Sequence, residues 1–220
     1  MTSGNVILIA AGALTALGVG QRVLDRLRLT DRQAILIVAA MLIGGLMPDI
    51  PISGRVSVNL GGAVIPLILC AYLLFKADTA WEVWRTILAS ALTALAVYWI
   101  GRLLPADPEE LPIEPMYLFA LSAGLAAWLF GRSRRGAFVA GVLGMTIADI
   151  ASALALYARG IDQRLVLGGA GIADGIVAAG FLGLMLAELT GEVTERITRG
   201  KKKSRRSFQG GEITKRRERA

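Results

Sequence analysis

The chain has 220 residues, 55% of them hydrophobic, and a mean hydropathy of +0.59; a water-soluble domain of this length carries a smaller apolar share, so the composition puts it in a membrane. It contains no histidine, which excludes imidazole as metal ligand, general base or proton relay, and with it Ser-His and Cys-His catalysis. Its net charge of +7 is a poor nucleic-acid signal, because eleven of the 24 Lys and Arg follow Glu195; a basic tail behind a membrane helix is more simply attracted to anionic lipid headgroups.

In chain order, residues 4–20 form a first apolar run with no positive residue before it. A secretory signal needs a basic n-region and a small-residue cleavage site, so an uncleaved first span is expected, followed by a basic loop at 21–32. A second span covers 33–48 and ends at Pro48-Asp49-Ile50-Pro51, where proline stops a helix. Residues 53–59 read as a polar connector. The third run, 60–75, opens with Gly61 and Gly62 and carries Pro66 in its first turns; a backbone group freed by proline must face protein or water in a bilayer. Cys70, the only cysteine, lies in this run, permits no internal disulfide, and reads as a small buried hydrophobe.

A fourth span is expected over 86–104, with Trp81, Trp84, Tyr98 and Trp99 placed as interfacial anchors. Residues 105–115 hold four acids and four prolines, an exposed extended loop. A short fifth span covers 117–130. The sixth and seventh form a helical hairpin over 135–188 with its turn at 159–164. The chain therefore reads as all-α, a polytopic transmembrane helix bundle of about seven spans, with a transmembrane domain at 1–195 and a disordered basic tail at 196–220. Basic loops stay in the cytoplasm. Placing the N-terminus outside puts twenty of the 24 Lys and Arg on the cytoplasmic side with the C-terminus, as expected of a multi-pass protein of the inner, cytoplasmic membrane.

The chain also echoes itself. Met47-Pro48-Asp49-Ile50 matches Ile147-Ala148-Asp149-Ile150, and Leu60-Gly61-Gly62-Ala63-Val64-Ile65 matches Leu167-Gly168-Gly169-Ala170-Gly171-Ile172. Spans one to three and five to seven would then be parallel repeats about an inverting fourth, the 3+1+3 parallel repeat of some small transporters. Chance matching in so Gly- and Ala-rich a chain explains the echo equally well.

The chemistry concentrates in the hairpin, each of whose two apolar runs carries one acid in its interior, Asp149 and Asp174. A buried charge in lipid costs roughly 2.5 kcal/mol or more, so two carboxyls at matching depth suggest a pair sharing a proton, one acid and one base. Gly168, Gly169, Gly171 and Gly175 leave room beside them for close packing or substrate backbone. No cofactor or metal motif accompanies them.

Gly171-Ile172-Ala173-Asp174-Gly175 is similar to the Gly-x-Gly-Asp signature of presenilin-like and prepilin-peptidase-like intramembrane aspartyl proteases, with Gly-x-x-Asp in its place. That resemblance implies catalysis by Asp149 and Asp174 on a membrane-protein substrate. The hairpin and the Asn59-Leu60-Gly61-Gly62 to Pro66 run also resemble domain of unknown function 1614, over most of residues 33–188, which implies no activity. Two other readings stay open. In a small-solute or proton-coupled transporter, Asp49, Asn59, Gly61, Gly62 and Pro66 would line one cavity with Asp149 and Asp174. In a non-catalytic scaffold or sensor, the aspartates would be structural, paired with hydroxyls such as Thr146 or Ser152.

Overall fold

The structure, a computed structural model, describes residues 29–103, 115–131 and 133–207. Helix α1 (Asp31–Leu46) opens on a capping box in which Thr30 and Gln33 each accept the other's backbone N–H, and it stops just ahead of Pro48. A hairpin of β1 (Ile50–Ser53) and β2 (Val56–Val58) follows. The chain then winds through a π turn (Leu60–Val64) directly into α2 (Ile65–Phe75). Pro66 sits in the first turn of α2, where its missing N–H is least needed.

Three long helices come next: α3 (Ala80–Leu103), α4 (Pro115–Gly131) and α5 (Arg134–Ala158), the last capped by Ser133, whose hydroxyl accepts the Gly136 amide at 3.0 Å. They pack on one another as a bundle. After α5 come a third strand, β3 (Leu165–Leu167), a 3-10 turn (Gly171–Ala173) and α6 (Gly175–Ser207). A compact unit ends at Ala187, and α6 continues as a second unit through the start of the stretch read as a tail. The expected first span at 4–20, the acidic loop before Pro115 and the tail beyond Ser207 lie outside the described residues.

Two expectations need correction. The fold is mostly helical, yet it includes a three-stranded sheet in the order β1-β2-β3, with β1 antiparallel and β3 parallel to β2. The stretch read as a connector at 53–59 holds β2, and the stretch read as the start of the seventh span holds β3. Parallel neighbours need a long crossover; here it runs through α2, α3, α4 and α5. The pairing brings Val56–Val58, just ahead of the first echo segment, beside Leu165–Leu167, with Val58 opposite Leu167. The second correction concerns the hairpin. Its first arm ends at Ala158, but its second arm becomes helical only at Gly175, because Gly168 (φ 73°) and Gly171 (φ 62°) hold left-handed backbone that interrupts a helix.

The bundle is apolar within and apolar on its outer surface, with a few hydroxyls buried between its helices. Thr86, Ser90 and Thr93 of α3 and Thr146 of α5 are buried, while Trp81, Trp84, Leu88, Leu95 and Trp99 of α3 and Ile147, Ile150 and Leu154 of α5 are exposed. The buried hydroxyls are largely satisfied by carbonyls one turn back: Thr86 donates to Glu82, Ser90 to Thr86 and Thr146 to Val142. Small residues let α3 and α5 approach, as where a Cβ on Gly144 would stand 2.6 Å from Thr93 Cβ. At 24 and 25 residues, α3 and α5 are each about 36 Å long, enough for a hydrocarbon layer of about 30 Å. Only 33% and 44% of their apolar windows are buried, whereas a core helix of a soluble protein would be mostly covered. These two helices mark a membrane protein.

Glycines also join the sheet to α1. A Cβ on Gly61 would overlap Met41 O and the Gly45 amide, and one on Gly62 would overlap the Gly168 carbonyl oxygen. Gly62→Ala should therefore lower the melting midpoint of the detergent-solubilised protein, by the upper part of the roughly 1 to 3 kcal/mol that overpacking costs. Gly54→Ala, whose Cβ would meet nothing within 4 Å, should leave it in place; equal midpoints would show that the junction yields.

Candidate functional site

Helices α5 and α6 run antiparallel and meet every fourth residue. A Cβ on Gly183 would lie 2.9 Å from Ala137 O, one on Gly141 would lie 2.6 Å from Ala179 O, and one on Gly175 would lie 3.1 Å from Met145 Cε. Phe138 and Phe181 add an edge-to-face contact at 5.8 Å. Continuing that stagger by one turn puts Asp149, which shares a face with Met145, opposite the glycine loop that precedes α6. The α6 helix has ended by then. Asp149 therefore faces unwound backbone.

Asp174 ends that loop and caps α6. Its Oδ1 accepts the Ile176 amide at 2.9 Å and its Oδ2 accepts the Ala170 amide at 3.3 Å. Asp149 is half-buried and has no hydrogen-bond or ion-pair partner among the described residues, and its carboxyl lies within electrostatic reach of Asp174. The two acids thus stand in unlike settings. Met116 and Met145 flank Gly175 beside them. Neither methionine was singled out in the sequence; only the four-residue step from Gly141 to Met145 to Asp149 could have suggested the second.

The other candidates form the neighbouring junction. Asn59 is 2% exposed, and its Oδ1 accepts the Gly61 and Gly62 amides at 2.9 and 3.0 Å. Its Nδ2 donates to Met47 O at 3.3 Å and to Asp49 Oδ1 at 3.0 Å. Both donors and both acceptor positions of the amide are occupied. The Asn59 backbone N–H donates to Leu167 O at 2.9 Å, so this residue ties α1's exit, the π turn and β3 together. Asp49 is exposed at the edge of this cluster, and Pro66 is buried behind it. Gly168 and Gly171 shape the loop, and Gly169 packs on Val166. About 14 Å of α5 separates Asp149 from Ala158. At that end Arg55 stacks 4.8 Å over the Tyr157 ring and pairs with Asp162 at 3.0 Å, which pins the hairpin tip over the α5–β3 turn. This pair is exposed, so it contributes little to stability.

Two helices long and apolar enough to cross a bilayer, with large apolar side chains exposed along them, mark a helical membrane protein. More specifically, the chain belongs to the family described as Protein of unknown function (DUF1614), whose model matches residues 23–186. That match spans α1 to the first turns of α6 and so includes both aspartates and the Asn59 junction. No curated protein and no solved structure matches the chain.

Asn59→Ala would strand the buried Gly61 and Gly62 amides, at about 1 to 3 kcal/mol for each group left unpaired. A clearly lowered melting midpoint in detergent is the expected result. An unchanged midpoint would mean that water or another group replaces the Asn59 oxygen.

Proposed function

We propose that this is a multi-pass membrane protein with an intramembrane aspartic hydrolase-like site formed by Asp149 and Asp174. One observation carries the reading: Asp174 stands at the unwound start of α6, and the stagger of α5 on α6, continued by one turn, puts Asp149 opposite that same loop. Amide hydrolysis needs one carboxylate to take a proton from water as its oxygen attacks the carbonyl carbon, and one carboxylic acid to protonate the carbonyl oxygen. Asp174, oriented by the Ala170 and Ile176 amides, suits the base. Asp149, without a donor among the described residues, suits the acid. Collapse of the tetrahedral adduct breaks the C–N bond and returns a proton to the leaving amine. The glycines at 168, 169, 171 and 175 leave the loop without side chains that would block an extended substrate backbone, and a membrane-protein segment is the substrate class that reaches such a site.

The proposed membrane placement is about seven spans in the inner membrane, with the N-terminus outside and the C-terminal basic stretch against anionic headgroups. Contacts at opposite ends of α5 support it. Arg135 joins the turn after α2 through Asp78 at 3.0 Å, whereas Tyr157 and Asp162 join the β-hairpin tip through Arg55. A second reading, a proton-coupled carrier, draws on one separate observation. The parallel strands β2 and β3 lie side by side, and each leads through a glycine turn into a helix, as in carriers whose spans are interrupted at the substrate site.

A peptide carrying a hydroxyethylene isostere and a photoreactive group mimics the tetrahedral adduct and needs no identified substrate. It should label the protein in liposomes, and Asp149→Asn or Asp174→Asn should each reduce labelling at least tenfold. Labelling indifferent to both changes removes the hydrolase; pH-driven solute uptake abolished by the same two changes would establish the carrier instead. Orientation has its own test in a Cys70→Ser background. An impermeant maleimide should modify Gln163→Cys in intact cells but not Ala77→Cys, and the reverse pattern overturns the placement.

A further inference from the structure

Gly45, in the last turn of α1, contacts neither aspartate directly, yet it touches both backbone segments that set the site. A Cβ there would lie 3.2 Å from Gly171 Cα and 3.3 Å from the Ile172 amide nitrogen, and a Cβ on Gly171 would lie 3.0 Å from Gly45 Cα. On its other side Gly45 meets Gly61, whose own Cβ would reach within 2.7 Å of Gly45 Cα. The atoms on both sides are backbone, so the space cannot be made by turning a side chain.

Gly171 in turn holds Asp174. Its amide donates to Gly168 O at 2.8 Å, its carbonyl accepts the Asp174 amide at 3.0 Å, and its left-handed φ of 62° sets the bend between them. From this chain of contacts we infer that Gly45 is a positioning residue for Asp174: α1 seats the glycine loop through a side-chain-free contact and so sets the approach of Asp174 to Asp149. The inference rests on the paired-carboxyl reading above and adds to it an element, α1, whose remaining apolar surface at Ile35, Leu36 and Ile43 is exposed. A misplacement on the order of 1 Å at reacting groups costs about a hundredfold in rate, so a close backbone contact is a sensitive place from which to hold the loop.

The test has two readouts on the full chain in liposomes. In a Cys70→Ser background, Asp149→Cys and Asp174→Cys are bridged with a two-carbon bis-methanethiosulfonate, which reports the separation of the two positions without requiring activity. Bridging should fall at least fivefold with Gly45→Val and less with Gly45→Ala, and should be unchanged with Ala40→Leu on the exposed side of α1. With the aspartates intact, the half-saturating concentration of the hydroxyethylene probe should rise in the same order, and its pH dependence should shift. Bridging unaffected by Gly45→Val overturns the inference, as does a loss of bridging that appears only together with a collapsed tryptophan-fluorescence melt. If the probe never labels the wild type but bridging follows the Gly45 series, the hydrolase reading fails and the positioning role of Gly45 stands.

Discussion

The structure depends on a backbone-to-backbone contact among Gly45, Gly61, Gly62, Gly168 and Gly171, stabilised by the saturated amide of Asn59. At these positions a β-carbon would fall on or close to another chain segment's backbone. Such contacts bury peptide groups, and a buried peptide group must find its partner. Asn59 supplies those partners for the Gly61 and Gly62 amides of the π turn, while its own N–H completes the Leu167 carbonyl. Remove that side chain and the close approach leaves uncompensated donors in a place water does not readily reach.

This constraint goes with the break in helix between α5 and α6. A helix satisfies its backbone internally, whereas residues 165–174 include a strand, two left-handed glycines and one turn of 3-10 helix. Their backbone groups are met instead by β2, by turns within the loop and by the Asp174 carboxylate, which accepts both the Ala170 and the Ile176 amide. An aspartate that caps a helix at such a break is structural first. What gives it chemical interest is Asp149 of the uninterrupted helix α5, within whose electrostatic reach it lies. The arrangement combines a rigid wall, α5, with a shaped loop.

Packing around the site follows membrane rather than aqueous rules. Without water to drive apolar faces together, helices associate through small residues and buried hydroxyls. The Gly144–Thr93 crossing and the glycine ladder between α5 and α6 are of this kind. Trp84, Leu88, Leu95 and Trp99 are exposed along α3, while Phe138, Val139 and Val142 of α5 fill the interior. The same rule makes the glycine-rich loop affordable: close helix packing fixes the height of Gly175 against Met145, and that height sets where Asp174 lies.

Much of this was legible from the residues alone. Apolar runs near 33–48, 60–75, 86–104, 117–130 and 135–158 have their helices in the structure, because hydropathy and the stops at Pro48 and Gly160 are local properties. The two acids stood out because each is alone in an apolar run. The repeat of Leu-Gly-Gly-Ala drew attention to two segments that do become neighbours. Only the tertiary structure decided that the residues leading into them, Val56–Val58 and Leu165–Leu167, pair as parallel strands, that Asp174 caps a helix instead of lying within one, and that the Asn59 amide is saturated by three backbone groups and the Asp49 carboxylate. The physical reason is range: a helix bonds to itself within four residues, whereas a parallel strand, a left-handed glycine seated on another helix and a saturated buried amide are each defined by a partner far away in sequence.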